Sequence, residues 1–102
     1  MVTAKPLKII WSLRALKQFK VVFDYIKNES PQSAQSVRNK IIETTEKLPF
    51  NPMLFEADRF KLNNNDSYRA FTEFNIRITY RINLKTITIL KVIHTSQKPK
   101  LY

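Results

Sequence analysis

NIRITYRINLKTITILKVIH, Asn75 to His94, alternates apolar and polar residues and breaks its rhythm at Asn83–Thr86. Alternation with a period of two marks a half-buried strand. The stretch therefore reads as two strands joined by a tight turn at Leu84–Lys85. In that register Ile82 lies opposite Ile87 and Tyr80 opposite Ile89, so both apolar rows face one side. The same register sets Arg81 beside Thr88 and Arg77 beside Val92. Arg77, Thr79, Arg81, Thr88, Leu90, Val92 and His94 would then line the opposite face.

Outward from this hairpin, SYRAFTEF (Ser67–Phe74) reads as a third strand. LKIIWSL (Leu7–Leu13) reads as a short strand near the N-terminus, ending at Ser12, a residue suited to cap a following helix. In that helix Leu16, Phe19, Phe23 and Ile26 recur at three and four residues and form one apolar stripe, which Val22 and Tyr25 widen into a second contact surface. NESPQSA (Asn28–Ala34) punctuates the pattern over three or four residues, with Ser30 as an N-cap and Pro31 at the first helical position. Ala34, Val37, Ile41, Thr45 and Leu48 mark a second helix that stops near Pro49. Between Leu48 and Asp66 the pattern is hardest to read. Phe50, Phe55 and Phe60 are expected to tuck this segment onto the core, and RFKL (Arg59–Leu62) to form a short strand. The fold class is α+β: an N-terminal strand, a helical hairpin, then an antiparallel strand meander, with the helices packed on one face of the sheet.

The 102 residues suffice for one domain, 1–102, and for a core without staples. Cysteine is absent, which removes disulfides and thiolate metal sites. Glycine is absent too, which removes the Gly-rich phosphate loops that need close backbone approach. No apolar run approaches the ~20 residues that cross a bilayer. Lys5, Pro6 and Lys8 interrupt the pattern of a signal peptide, so the expectation is a cytoplasmic protein with no membrane partner. The acidic residues show no metal-ligand spacing and there is one histidine, so neither metal nor cofactor is expected.

Charge carries the strongest compositional signal. Eighteen Lys and Arg stand against eight Asp and Glu, a net +10. Residues 59–102 hold nine basic and two acidic side chains, residues 1–58 nine and six. Such an imbalance points to an acidic partner, or else serves solubility alone.

The chain resembles toxins of the RelE/ParE superfamily, the toxin halves of bacterial type II toxin–antitoxin pairs. IIWSLRALKQFKVVFDYI resembles the family's opening strand and helix. SPQSAQSVRNKIIETTEKLPFNP resembles its second helix with the Leu-Pro exit at Leu48–Pro49. YRAFTEFNIRITYRINLKTITILKVIH resembles its meander, with Arg69 at the entry and Arg-hydrophobic-x-Tyr at Arg77–Tyr80. The resemblance implies a small basic toxin of the plasmid-stabilisation type, neutralised by a cognate antitoxin and inhibiting growth. RelE-like members cut mRNA on the ribosome, whereas ParE-like members poison DNA gyrase. The helical hairpin and long first helix stand nearer the ParE side, although Thr95 and Ser96 occupy positions after the last strand where many relatives carry an arginine. The expected action is therefore gyrase binding, with ribosome-dependent cleavage as the alternative and a plain nucleic-acid-binding module as a third.

Metal-independent RNA cleavage needs a base, an acid and cations around the phosphate. On the nuclease reading the candidates are Arg81, the lone histidine His94 and Tyr102. A target-binding surface would use Arg69, Arg77, Arg81, Lys91, Lys98 and Lys100, with Arg77 and Arg81 about 7 Å apart on neighbouring phosphates. The alternative for each arginine is a solvated sheet face. The antitoxin is expected to cover Val22, Tyr25, Leu90 and Val92, using apolar anchors and acidic residues.

Overall fold

The computed structural model describes residues 6–102; the first five residues, read above for a targeting pattern, lie outside it. Six elements follow in order: β1 (Lys8–Trp11), α1 (Leu13–Glu29), α2 (Pro31–Lys47), β2 (Tyr68–Glu73), β3 (Ile76–Ile82) and β4 (Thr86–His94). The sheet order is β1-β4-β3-β2, with β1 parallel to β4 and the meander antiparallel. This is the α+β arrangement expected from the patterning. No described helix is long and apolar enough to cross a membrane.

Local chemistry explains the helices. The Ser12 hydroxyl oxygen accepts from the Ala15 N–H at 3.0 Å, satisfying one free donor of the first turn of α1. Its own proton goes to the Leu90 carbonyl at 3.3 Å, tying the helix start to β4. Ser30 alone separates the two helices, where a break of three or four residues was expected. It closes α1 through its N–H to the Ile26 carbonyl and opens α2 by accepting from the Ser33 N–H, with Pro31 in the first turn.

The apolar face of α1 is shifted from the expected stripe. Ala15 is fully buried and Phe19, Val22 and Ile26 pack on the core, whereas Leu16 is half exposed. The small Ala15 lets the helix approach the sheet, and the Phe19 ring meets Trp11 edge-on at 5.5 Å. Ile41, Thr44, Thr45 and Leu48 of the second helix and its exit complete the cover. Beneath them lie Phe71, Ile76, Ile78, Tyr80, Ile87, Ile89 and Val92, all from one sheet face.

The hairpin register holds at the turn end and fails at the far end. Ile82 pairs with Ile87, Arg81 with Thr88 and Tyr80 with Ile89 as expected. A bulge then admits Leu90 as an extra residue, so that Thr79 pairs with Lys91, Ile78 with Val92 and Arg77 with Ile93. One inserted residue reverses the facing of everything beyond it. Val92, expected on the open face, is 1% exposed in the core, and His94 sits beside buried Ile76.

The segment between α2 and β2 contains no strand; Arg59–Leu62 is a series of turns. It runs along the outer edge of β2, where the Asp58 N–H donates to the Tyr68 carbonyl and the Ala70 N–H to the Glu56 carbonyl. Phe55 stacks on Phe71 at 4.5 Å, but Phe50 is 78% exposed and anchors nothing in the core. Phe60 turns to the opposite side of the sheet, where it meets Arg77.

Candidate target-binding face

The sheet face turned away from the helices carries Arg77, Thr79, Arg81, Lys91 and Ile93, as the observed register requires. Two segments fold over it. One is the loop around Asp58–Leu62. The other is the chain end, whose Tyr102 N–H donates to the Phe60 carbonyl and whose main-chain oxygen accepts from the Leu62 N–H at 2.6 Å. Between them lies a cleft of about 500 Å³, bordered by Arg14 and Gln18 of α1, by Lys91, and by Lys98 and Lys100.

Asp58 organises this cleft. Its side chain is 1% exposed and accepts from Arg77 Nη2 at 2.6 Å, from the Tyr102 hydroxyl at 2.6 Å and from the Phe60 N–H at 3.0 Å. Burial alone would raise its pKa. The three donors outweigh burial, Tyr102 foremost, and hold the carboxyl below the usual range. Tyr102 shifts the other way: burial, then the hydrogen bond and charge of Asp58, keep its hydroxyl protonated well above the usual tyrosine range. Burial, and after it the neighbouring Arg14, lowers the pKa of Lys91.

Cations on this face rest on aromatic rings. Arg81 lies 5.0 Å from the centre of Tyr68, and Lys61 lies 4.9 Å from Tyr68 and 5.3 Å from Tyr102. Lys91 sits 3.3 Å over Tyr102, and Arg59 and Arg77 each lie 5.0 Å from Phe60.

The structure brings some of the expected residues together and separates others. Arg77, Lys91, Lys98 and Lys100 border one cleft. Arg77 and Arg81 are four residues apart on β3, so strand rise sets their Cα atoms about 13 Å apart, not the ~7 Å expected. Arg69 pairs with Tyr80 and is 8% exposed; it donates to the Phe55 carbonyl at 2.7 Å and the Asp66 carbonyl at 3.0 Å, away from the other arginines. His94 lies on the helix side, where its Nδ1 is bonded by the Ser96 N–H at 3.0 Å and lies 2.9 Å from Ser96 Oγ. Val22, Tyr25, Val92 and His94 line a separate groove of about 510 Å³ between α1 and the end of β4, and Leu90 stays at the bulge outside it.

Asp58, Lys61, Tyr68 and Arg14 were not singled out from the sequence. Only Asp58 carries a local signal, a side chain that caps the N–H two residues on, as aspartates do in turns. Among the described residues no group of three acidic or histidine side chains stands ready to hold a metal ion.

The strand, two helices and meander, with a basic face left open, have the layout that the resemblance to RelE/ParE toxins implied. Residues 9–99 match the family described as ParE toxin of type II toxin-antitoxin system, parDE, and the chain belongs to that family. It is thus the toxin component of a type II system, with a cognate antitoxin as partner. Among solved structures, one of a chromosomal ParDE toxin–antitoxin system from P. aeruginosa is similar with a TM-score of 0.70 and 16% identity, over 89% of this chain and 98% of that one. The YoeB dimer from Staphylococcus aureus is similar with a TM-score of 0.53 and 21% identity, over 84% of this chain and 93% of that one. Likeness at these identities shows a shared fold. No match is found among curated protein sequences.

Proposed function

We propose that this toxin acts by binding its target, DNA gyrase, and not by cutting RNA. One observation carries the reading: the three side chains suited to nuclease chemistry do not converge. Proton transfer needs its donor and acceptor within hydrogen-bond reach of one reacting phosphate. Arg81 lies opposite Thr88 and His94 opposite Ile76, five residues further along β3, about 17 Å away by strand rise. They also face opposite sides of the sheet. The Tyr102 hydroxyl is engaged by Asp58 and held protonated, so it is not a base at neutral pH.

A surface that binds needs no such convergence. Lys91, Lys98 and Lys100 around the cleft, with Arg81 beyond, suit an extended acidic target. The antitoxin, on this reading, lays an amphipathic segment into the groove of Val22, Tyr25 and Val92, its acidic residues meeting Lys17 on the rim. That complex survives moderate salt, because apolar anchoring is not screened; complete release in a pulldown at moderate salt would contradict it.

The test pairs two assays on purified toxin: gyrase supercoiling, and cell-free translation with mRNA ends mapped by primer extension. Inhibited supercoiling with intact mRNA is expected. New mRNA cuts that vanish in Arg81→Ala, with gyrase unaffected, would make the protein a ribosome-dependent nuclease instead.

A further inference from the structure

We infer that the open face is a track for the phosphodiester backbone of a nucleic acid, gripped by cations mounted on aromatic rings and indifferent to base and sugar. The inference deepens the target-binding reading, since gyrase works on DNA, but it concerns direct contact between this chain and nucleic acid.

The ladder runs Arg81, Tyr68, Lys61, Tyr102, Lys91, each neighbouring pair within 5.3 Å between cation and ring centre. Tyr68 and Tyr102 meet edge-on at 5.8 Å, so the two rings form a corner that holds Lys61. Arg14, Lys98 and Lys100 continue the positive charge around the cleft.

Three features point to a polyphosphate chain. The charge is uncompensated: among the described residues lining the cleft, Asp58 is the one acidic side chain, and Arg77 already neutralises it. Lys91 is partly buried among these charges: burial first, then the like charge of Arg14, disfavours its proton, Asp58 opposes this, and Arg77 and Lys61 add to it. A bound anion would offset the repulsion. Ring faces, the second feature, are where bases stack in single-strand binders. Here cations occupy them, so a base would have to displace a lysine or arginine to stack. Contact through phosphates alone carries no sequence information. Third, the rings hold long side chains at set positions, which lessens the entropy lost on binding. The apolar groove of Val22, Tyr25 and Val92 adjoins this cleft through Gln18, Ile93 and Gln97, but it takes in none of the ladder's residues.

The experiment is fluorescence anisotropy with the full chain and no gyrase present. The probes are a DNA strand of about 16 nucleotides, its duplex, the RNA of equal length, and an abasic DNA strand of equal length. All single strands are expected to bind within about threefold of one another. With about five phosphates engaged, affinity falls by roughly 10²–10³ between ~50 and ~200 mM salt. Lys61→Gln and Arg81→Gln each lessen the salt slope by about one phosphate's share. Tyr68→Leu, which changes no charge, weakens binding several-fold by unseating both cations, while circular dichroism shows the fold intact.

No binding at ~50 mM salt would overturn the inference. So would an abasic strand binding more than about tenfold weaker, which would mean that bases stack. Poly-glutamate of equal charge binding as tightly as DNA would do the same, since the site would then serve an acidic protein. Because gyrase is absent, failure here with supercoiling still inhibited leaves the target reading standing, and binding without any effect on supercoiling does the reverse.

Discussion

Asp58→Ala is expected to destabilise the fold by about 3 kcal/mol. The carboxylate joins three segments far apart in the chain: the loop that carries it, β3 through Arg77, and the chain end through Tyr102. Breaking a buried ion pair by removing one partner costs about 3–5 kcal/mol. Arg77 keeps 17% side-chain exposure and the Phe60 ring, so water and the ring compensate in part and the low end applies. In a domain of this size the loss lowers Tm by about 12–20 °C. Urea unfolding followed by circular dichroism measures it. Tyr102→Phe removes only the hydroxyl and should cost about 1.5 kcal/mol, and the double variant should cost little more than Asp58→Ala, because both remove the same bond.

The pH dependence has a definite sign. Asp58's folded pKa is depressed, so its contribution is present above the unfolded carboxylate value near 3.9 and is lost as pH falls through the lower folded value. The wild type therefore loses more stability than Asp58→Ala below about pH 4. Tyr102's folded pKa is raised, so its contribution is present below about pH 10 and is lost as pH rises beyond it. A variant Asp58→Ala within about 0.5 kcal/mol of wild type, with the same acid limb, would refute the role given to this carboxylate.

Three further outcomes follow from other sites. The β2–β3 turn places Phe74 at φ 49° and Asn75 at φ 64°, a left-handed pair built without glycine. Combining Phe74→Asn with Asn75→Gly should stabilise by about 1–2 kcal/mol in the same urea titration, since Phe74 is 56% exposed and loses little burial. Gln18→Ala strips the side chain whose Oε1 accepts from the Val92 N–H at 2.8 Å, and should cost about 1 kcal/mol and speed amide hydrogen exchange at Val92 relative to Ile78. Arg69→Lys cannot bridge the Phe55 and Asp66 carbonyls with one planar fork, and should cost about 2 kcal/mol while admitting protease to the segment before β2, read by limited proteolysis.

Much of the fold was legible because its causes are local. The caps at Ser12 and Ser30, Pro31 at a helix start and the turn end of the β3–β4 hairpin depend on residues a few places apart, and each sits where the sequence pattern put it. The choice between Ala15 and Leu16 for the buried face of α1 depends on which side meets β4, which the helical period does not specify. The bulge at Leu90 has no glycine or proline to announce it, so strict alternation assigned Val92 and His94 to the wrong side. The site was less legible than the fold. Asp58 acquires its meaning from Arg77, 19 residues on, and Tyr102, 44 residues on, and Arg69 from carbonyls that no sequence pattern displays. The basic row was visible as composition, but its mounting on Tyr68 and Tyr102 arises from a chain end folding back over the sheet.

Leu90 works as a parity bit. Deleting its single codon would heal the bulge and leave Lys91 opposite Thr79, Val92 opposite Ile78 and Ile93 opposite Arg77, as they stand now. Closing the bulge with Leu90 kept would instead slide the end of β4 by one place. Lys91 would then come opposite Ile78, beneath the helices and without a counter-ion, and Val92 would come opposite Arg77 among the cations. One sequence thus offers two parities, and the cost of burying Lys91 selects the one that turns Val92 and His94 toward the helices.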